Sequence, residues 1–410
     1  MNKENRNIIG GRQIEINGSV LLLIGPIGTF FSRLSKFLKS KNINTYKILF
    51  PYKEYGFKKN QIIKFNEEMN SFKLFLLKVI EEKKIRHIFM YGDVIIPHQI
   101  AIETCIALRK KGYEIDTEIF ELGYLRPNYV TLEKNGVNFK SNIPRDKKFY
   151  EKLEKVKVIP KAKYNIGLRV RKLWKGITFI HHAFTNYQIT EYDHKLQPKP
   201  IYLYYQLLGF IRKYIYMIEE YKIKKNIGKR KNFFLVVLQV SKDSQIVEGS
   251  DFNNIENFIK YVIASFKKAN IKDCQLVIKH HPRDRGYNNY KKLINTEIKN
   301  NQLKERIIYI HDLKIASLLR NKKCKGSIMI NSSVGIQSLF HNVPVKVFGK
   351  AIYDIDGLTD KKNLEEFLQK PSPPNQELFK KYFNYILQTT QINGNFDGYF
   401  PFDHVFNIVN

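Results

Sequence analysis

Two separate series of short, wholly apolar runs, each closed by a glycine or polar turn and followed by helical spacing, limit what this chain can fold into. In the first series SVLLLI (19–24) passes through GPIGTF into a helical pattern over 31–39. TYKILF (45–50), a helix over 66–84, HIFMYG (87–92), a helix near 99–111 and TEIFEL (117–122) follow. The second series opens with FFLVVLQV at Phe233 and a helix over 255–268. It continues with CQLVIKHHP (274–282), RIIYIHD (306–312), SIMINSS (327–333) and VKVFG (345–349). Runs this short, apolar without alternation, suit strands covered on both faces, and helices between them supply parallel crossovers. The expectation is an α/β fold with two doubly wound, Rossmann-like sheets facing a cleft.

The 410 residues suffice for two cores of ordinary size. Between the series the chain becomes basic and Tyr-rich without strand punctuation, as over 202–225, and after Pro371 come a helix over 377–389 and the tail NGNFDGYFPF. The expected organisation is a first domain over 1–190, a helical linker over 191–230, a second domain over 231–370, and a terminal segment over 371–410 packing back across both. No fixed-period repeat or low-complexity tract points to a solenoid or a disordered tail.

Seventy Lys and Arg against 38 Asp and Glu give a formal charge of +32, which calls for an anionic partner. A biased genome composition, rich in Lys, Asn and Ile, is the other source of that excess. Cys105, Cys274 and Cys324 are widely spaced and form no CxxC pair, so neither a disulfide framework nor a thiolate zinc site is expected. Residues 1–20 lack the apolar core of a signal peptide and no later run reaches membrane-spanning length, so the expectation is a soluble or peripheral protein in a reducing cytosol.

The candidate chemistry lies in turns that follow predicted strands. Gly25 and Gly28 let backbone N–H groups approach a ligand at a helix start, although a simple tight turn accounts for them equally well. Glu121 ends a strand with Arg126 nearby, as an acid, base or nucleophile or as half of a structural ion pair. Gln239 and Asp243 follow the strand at Phe233; Asp243 can serve as a carboxylate catalyst or as a helix cap. Lys279, His280, His281, Pro282 and Arg283 concentrate cations and imidazoles where a phosphate could be held or a leaving group protonated. Ser332, Ser333 and Gly335 offer hydroxyls and free N–H groups at a helix start, which plain capping would also use.

Five segments, in order, carry a resemblance: LLLIGPIGTFFSRL, FELGYLRPNYVTLEKNGVN, QVSKDSQI, KHHPRDRG and SSVGIQSLFHNVPVKVFGKAIYDIDGLTD. Together they resemble the capsule polysaccharide biosynthesis and export family, and within it the single-module Kdo transferases of group 2-type capsules. Kdo is an acidic eight-carbon sugar. The resemblance implies a GT-B-like pair of Rossmann domains, CMP-β-Kdo as donor, a lysophosphatidylglycerol-type acceptor, and retention of configuration. It implies catalysis by Glu121, Asp243 and His281, with His281 at the donor phosphate. Gln239, Lys279, His280, Pro282, Arg283, Ser332, Ser333 and Gly335 become donor contacts, and Gly25, Gly28 and Arg126 acceptor contacts. No metal or other cofactor is expected, because one phosphodiester can be neutralised by side chains and N–H donors and no acidic DxD-type site is evident. Double-module relatives carry an acidic pair before the glycine of the GYLRP-like segment; here the second position is Leu122.

The expected partners are thus CMP-Kdo, the lipid acceptor, the anionic inner face of the cytoplasmic membrane and other capsule assembly proteins. The region around Trp174, 202–205 and 214–216 is the expected membrane-facing surface. Nucleic acid is not expected, since no helix-turn-helix, zinc-finger or RNP motif occurs and the cations are not gathered in one arm. The alternatives are a transferase that extends an existing Kdo linker, one using another CMP-sugar, and a glycan-binding subunit without catalysis.

Overall fold

The computed structural model describes residues 11–26, 28–50, 59–126, 128–154, 199–229, 231–241 and 244–409; Asp243 and Trp174 lie outside them. The strands are β1 (Ile14–Ile16), β2 (Ser19–Leu22), β3 (Thr45–Leu49), β4 (Ile62–Lys64), β5 (Ile85–Tyr91), β6 (Asp116–Leu122) and β7 (Tyr129–Lys134). They continue with β8 (Asn232–Val237), β9 (Cys274–Lys279), β10 (Ile307–Ile310), β11 (Cys324–Met329), β12 (Val345–Val347), β13 (Gln391–Asn393) and β14 (Phe406–Ile408). The chain divides into two compact units, one comprising described residues 11–142 and 384–409, the other 143–154 and 200–383.

The first unit is built on a seven-stranded sheet in the order β13-β7-β6-β5-β2-β3-β4. Strands β2 to β6 run parallel. Both faces are covered, so successive residues of one strand enter different cores. Leu21 and Leu23 meet helices α1 (Phe72–Glu82) and α2 (Ile96–Lys110), while Val20 and Leu22 join Phe30, Leu34, Phe396 and Phe400. That is why the first run is apolar without alternation.

Two strands at one side of the sheet break the expected alternation. Strand β7 pairs antiparallel with β6, and β13 antiparallel with β7. Residues 123–126 of the GYLRP segment lie in the reversal between β6 and β7. A Cβ on Gly123 would lie 2.2 Å from the Tyr129 carbonyl oxygen, and Asn128 takes the left-handed φ of 70°.

The second unit holds a wholly parallel five-stranded sheet in the order β10-β9-β8-β11-β12. Helix α3 (Ile255–Ala269) closes one face with Phe258, Ile259, Val262, Ile263 and Phe266. Its start is fixed by the Asn254 side chain, which accepts from the Asn257 N–H, and its end by Asn270 at φ 45°.

Of the stretch between the two series, the described residues 199–229 are helical over α4 (Lys199–Glu219) and α5 (Tyr221–Asn226), and they dock on the second unit. Arg212 donates to the carbonyls of Arg285 and Gly286 at 2.9 and 3.3 Å, and Gly209 lies against Gly286. A Cβ on Gly286 would sit 1.9 Å from the Tyr205 carbonyl oxygen. Gly286→Ala must therefore push α4 off the loop, at a cost of about 1–3 kcal/mol as in other overpacked contacts. A lowered thermal midpoint is expected, and an unchanged one contradicts this packing.

Candidate functional site

In an open parallel sheet, ligands bind beyond the carboxyl ends of the strands where the strand order reverses. The second unit reverses between β8 and β11, and the turns after those strands are Gln239–Ser241 and Asn331–Ser333. The two turns are tied across the reversal. Gln239 Nε2 donates to Asn331 Oδ1 at 2.9 Å, and the Asn331 N–H donates to Gln239 Oε1 at 3.1 Å. Both side chains are buried, and the pairing uses both ends of the Gln239 amide while tying the two turns together.

Next to β8 lies β9, which delivers the HHPRDRG loop. Asp284, only 1% exposed, is the hub of that loop. Its carboxylate accepts from Ser241 Oγ at 3.0 Å, from Asn288 Nδ2 at 3.2 Å and from the Tyr290 hydroxyl at 3.3 Å. Burial pushes its pKa upward, while the donated hydrogen bonds from Asn288 and Ser241 pull the other way. Lys279 is also buried, and its ammonium donates to the carbonyl of His280 at 2.9 Å and to that of His311. Its place is thus beneath the loop, holding two turns together.

The adjacent histidines separate. His280 is buried, with the Tyr309 hydroxyl 2.8 Å from its Nδ1, and burial lowers its pKa to about 3, so it stays neutral. Tyr309 is itself held protonated by burial, so its contact with His280 is a hydrogen bond between two neutral groups, whose direction follows the imidazole tautomer. His281 is half-buried, and its Nδ1 accepts the Arg283 N–H at 3.2 Å. That bond assigns the neutral ring's proton to Nε2, a donor suited to an anionic oxygen. Pro282 and Arg283 are exposed beside it.

After β11, Ser332 and Ser333 are half-buried, and Ser333 begins the helix Val334–Phe340 without a side-chain cap. The Tyr353 hydroxyl donates to the Ser332 carbonyl, and a Cβ on Gly335 would lie 2.2 Å from the Tyr353 ring. Gly335 thus lets Tyr353 clamp the serine turn from below. The rest of AIYDIDGLTD locks that support: Thr359 Oγ1 donates to Asp354 at 2.6 Å, and Asp360 accepts the Ser372 and Lys362 N–H groups at 2.8 and 3.0 Å.

In the first unit the order reverses between β5 and β2. Gly25 and Gly28 follow β2, Gly92 follows β5, and Glu121 lies near the end of the neighbouring β6. Glu121 is half-buried, and its Oε1 accepts the Leu122 N–H at 2.8 Å, which steadies the carboxylate. A Cβ on Gly92, whose φ is 72°, would come within 3.6 Å of Glu121 Oε2. Arg126 is exposed and its Nε donates to the Gly123 carbonyl at 3.2 Å. Tyr124 turns inward, donating to the buried Glu133 at 2.6 Å and accepting the Asn138 N–H at 2.6 Å. Burial raises the Glu133 pKa to about 7.

The structure therefore gathers Gln239, Lys279, His280, His281, Pro282, Arg283, Ser332, Ser333 and Gly335 at or just beyond the carboxyl ends of strands of one sheet, and Gly25, Gly28, Glu121 and Arg126 at those of the other. Sequence reasoning missed Asp284, Tyr353 and Glu220. Asp284 and Tyr353 sat inside quoted motifs without a role. Glu220 accepts the His311 N–H at 2.9 Å and contacts its Nδ1 at 2.5 Å, and its signal was an acidic pair closing an otherwise basic helix. Among the described residues no group of three or more His, Cys, Asp or Glu is placed to hold a metal ion.

Residues 88–397 match the family model described as capsule polysaccharide biosynthesis protein. Over 407 aligned residues the chain is 35% identical to the capsule polysaccharide modification protein LipB of Neisseria meningitidis serogroup A, covering 93% of this chain and 92% of that one. It is 34% identical over 383 residues to the capsule polysaccharide export protein KpsS of Escherichia coli, covering 91% and 95%. Among solved structures it is similar to the beta Kdo 2,7 transferase of Thermosulfurimonas dismutans KpsC, with 13% identity, a TM-score of 0.42, and coverage of 89% and 90%.

The buried His280 gives the second unit a defined pH response. Unfolding returns its pKa from about 3 to 6.5, so in that window the unfolded state binds the extra proton. Its contribution is complete above 6.5 and falls as pH drops, by about 1.4 kcal/mol per pH unit at most. The stability of the parent minus that of His280→Gln, measured by urea unfolding, should decline with acidity on this scale. A pH-independent difference contradicts the assignment.

Proposed function

This chain belongs to the capsule polysaccharide biosynthesis family, and from that premise we propose that it is a retaining glycosyltransferase moving β-Kdo from CMP-β-Kdo to a lysophosphatidylglycerol-type acceptor. The observation that carries this reading is the His281 ring, fixed by the Arg283 N–H with its own proton on Nε2, next to the strand reversal of a parallel sheet. Such a site suits a sugar nucleotide whose phosphate becomes more negative as it leaves.

In the reaction the bond between the anomeric carbon and the phosphate oxygen breaks, and CMP departs with the electron pair. Its phosphate passes from a diester with one charge to a monoester with two. The His281 Nε2–H, Arg283, and the hydroxyls and N–H groups of Ser332 and Ser333 are suited to bind that growing charge more strongly than the ground state, which lowers the barrier. Lys279, Asp284 and Tyr353 hold the turns that present them. Retention follows from two inversions: a carboxylate, Glu121 or Asp243, takes the sugar at its anomeric carbon, and the acceptor hydroxyl then displaces it while losing its proton.

The acceptor and the donor are both anionic, which gives the excess of Lys and Arg a use. Among the described residues no helix is long and apolar enough to cross a membrane, and we place the protein peripherally on the cytoplasmic face, beside other capsule assembly proteins.

The purified protein, given CMP-Kdo generated in situ and a fluorescent lysophosphatidylglycerol, should yield a product one Kdo heavier. His281→Ala, Glu121→Gln and Asp243→Asn should each lower turnover by about a hundredfold or more with folding intact. Absence of product with fresh donor and folded protein contradicts initiation, and a product formed only on a Kdo-bearing acceptor makes the enzyme an extender.

A further inference from the structure

Helix α4 has two faces of unusual kind. The face toward the second unit carries Tyr205, Gly209, Arg212 and Tyr216, continued by Glu220 in the turn before α5, spaced by three and four residues and engaged with the HHPRDRG loop and His311. On the opposite side Leu207, Phe210, Ile211, Tyr214 and Ile218, joined by Tyr221 of α5, stand 45–75% exposed. A soluble helix normally turns its apolar stripe inward. Here the outward stripe is the apolar one, and from Leu207 to Ile218 it runs for about 17 Å as a continuous patch, unlike the scattered exposed side chains of ordinary surfaces.

We propose that the outer face of α4 and α5 docks on an anionic lipid bilayer, with the helix lying in the plane of the headgroups. Charge decides between a bilayer and a second copy. Lys213, Lys222, Lys225 and Lys229 are exposed along the same segment, against Glu219 as the one exposed acid on it. A symmetric self-contact would set these cations against their own mates, whereas anionic headgroups neutralise them. Spanning is excluded by the inner face, where Arg212 and Glu220 are hydrogen-bonded to the protein. An amphipathic helix with apolar and aromatic residues on one side and Lys at its margins suits the headgroup boundary.

The test uses Tyr214→Cys labelled with an environment-sensitive nitrobenzoxadiazole fluorophore, since Cys105, Cys274 and Cys324 are all buried. Phosphatidylcholine vesicles with and without phosphatidylserine are the probe, so that neither donor nor a glycerol headgroup is present. The emission should rise and shift to the blue with phosphatidylserine vesicles and weaken as salt is added. Adding Leu207→Asp and Ile218→Asp, both at exposed positions, should cut vesicle binding about tenfold or more, with circular dichroism unchanged. Emission unaltered by phosphatidylserine vesicles at every concentration overturns the proposal. So does a blue shift that appears without vesicles as protein concentration rises, which identifies a second copy as the occupant. Transfer to a detergent-solubilised acceptor is read separately, so failure of docking and failure of the transferase reading are distinguishable.

Discussion

The HHPRDRG loop depends on one buried carboxylate. Asp284 collects the Ser241 hydroxyl, the Asn288 amide and the Tyr290 hydroxyl, and so joins the turn after β8 to the turn after β9. A carboxylate this deeply buried is tolerated because its oxygens are saturated with donors. Once Asp284 is satisfied, the short loop between it and Lys279 has little freedom. His280 is drawn in toward Tyr309, His281 is left at the rim, and Arg283 is exposed. The half-buried position of His281 is therefore a consequence of hydrogen bonds made one layer below it.

The same logic runs through the neighbouring turns. Tyr353 presses against Gly335 and holds the Ser332 carbonyl, and Gln239 and Asn331 close on each other across the strand reversal. Helix α4 completes the frame by laying its backbone on Gly286, and Glu220, in the turn that follows it, accepts the His311 N–H. Preorganised donors of this kind favour charge that appears during a reaction, because they need no rearrangement when it does.

Much of the sheet architecture was legible in the sequence, because buried parallel strands leave an uninterrupted apolar trace. The runs at SVLLLI and FFLVVLQV fall on β2 and β8, and the candidate turns follow the strands that periodicity located. The antiparallel excursion was not legible. Its cause is the close approach of Gly123 to Tyr129, a contact between residues that no periodicity links, and β13 arrives from more than two hundred residues away. The docking of α4 was hidden for the same reason, since Gly209 and Gly286 reveal nothing until they meet. The motif residues were picked out by type and by their place after a strand, and what the sequence could not show is which of them are buried. Lys279 and His280 read as contacts by type alone, whereas the fold places both beneath the loop.

In the proposed reaction His281 is the group that meets the donor phosphate. The most direct measurement is the histidine-ring nitrogen NMR spectrum of the protein during titration with CMP. The prediction is that His281 Nε2 shifts on saturation while the buried His280 and His311 rings keep their resonances. A saturable CMP response that leaves His281 unmoved would place the nucleotide phosphate elsewhere and contradict the account.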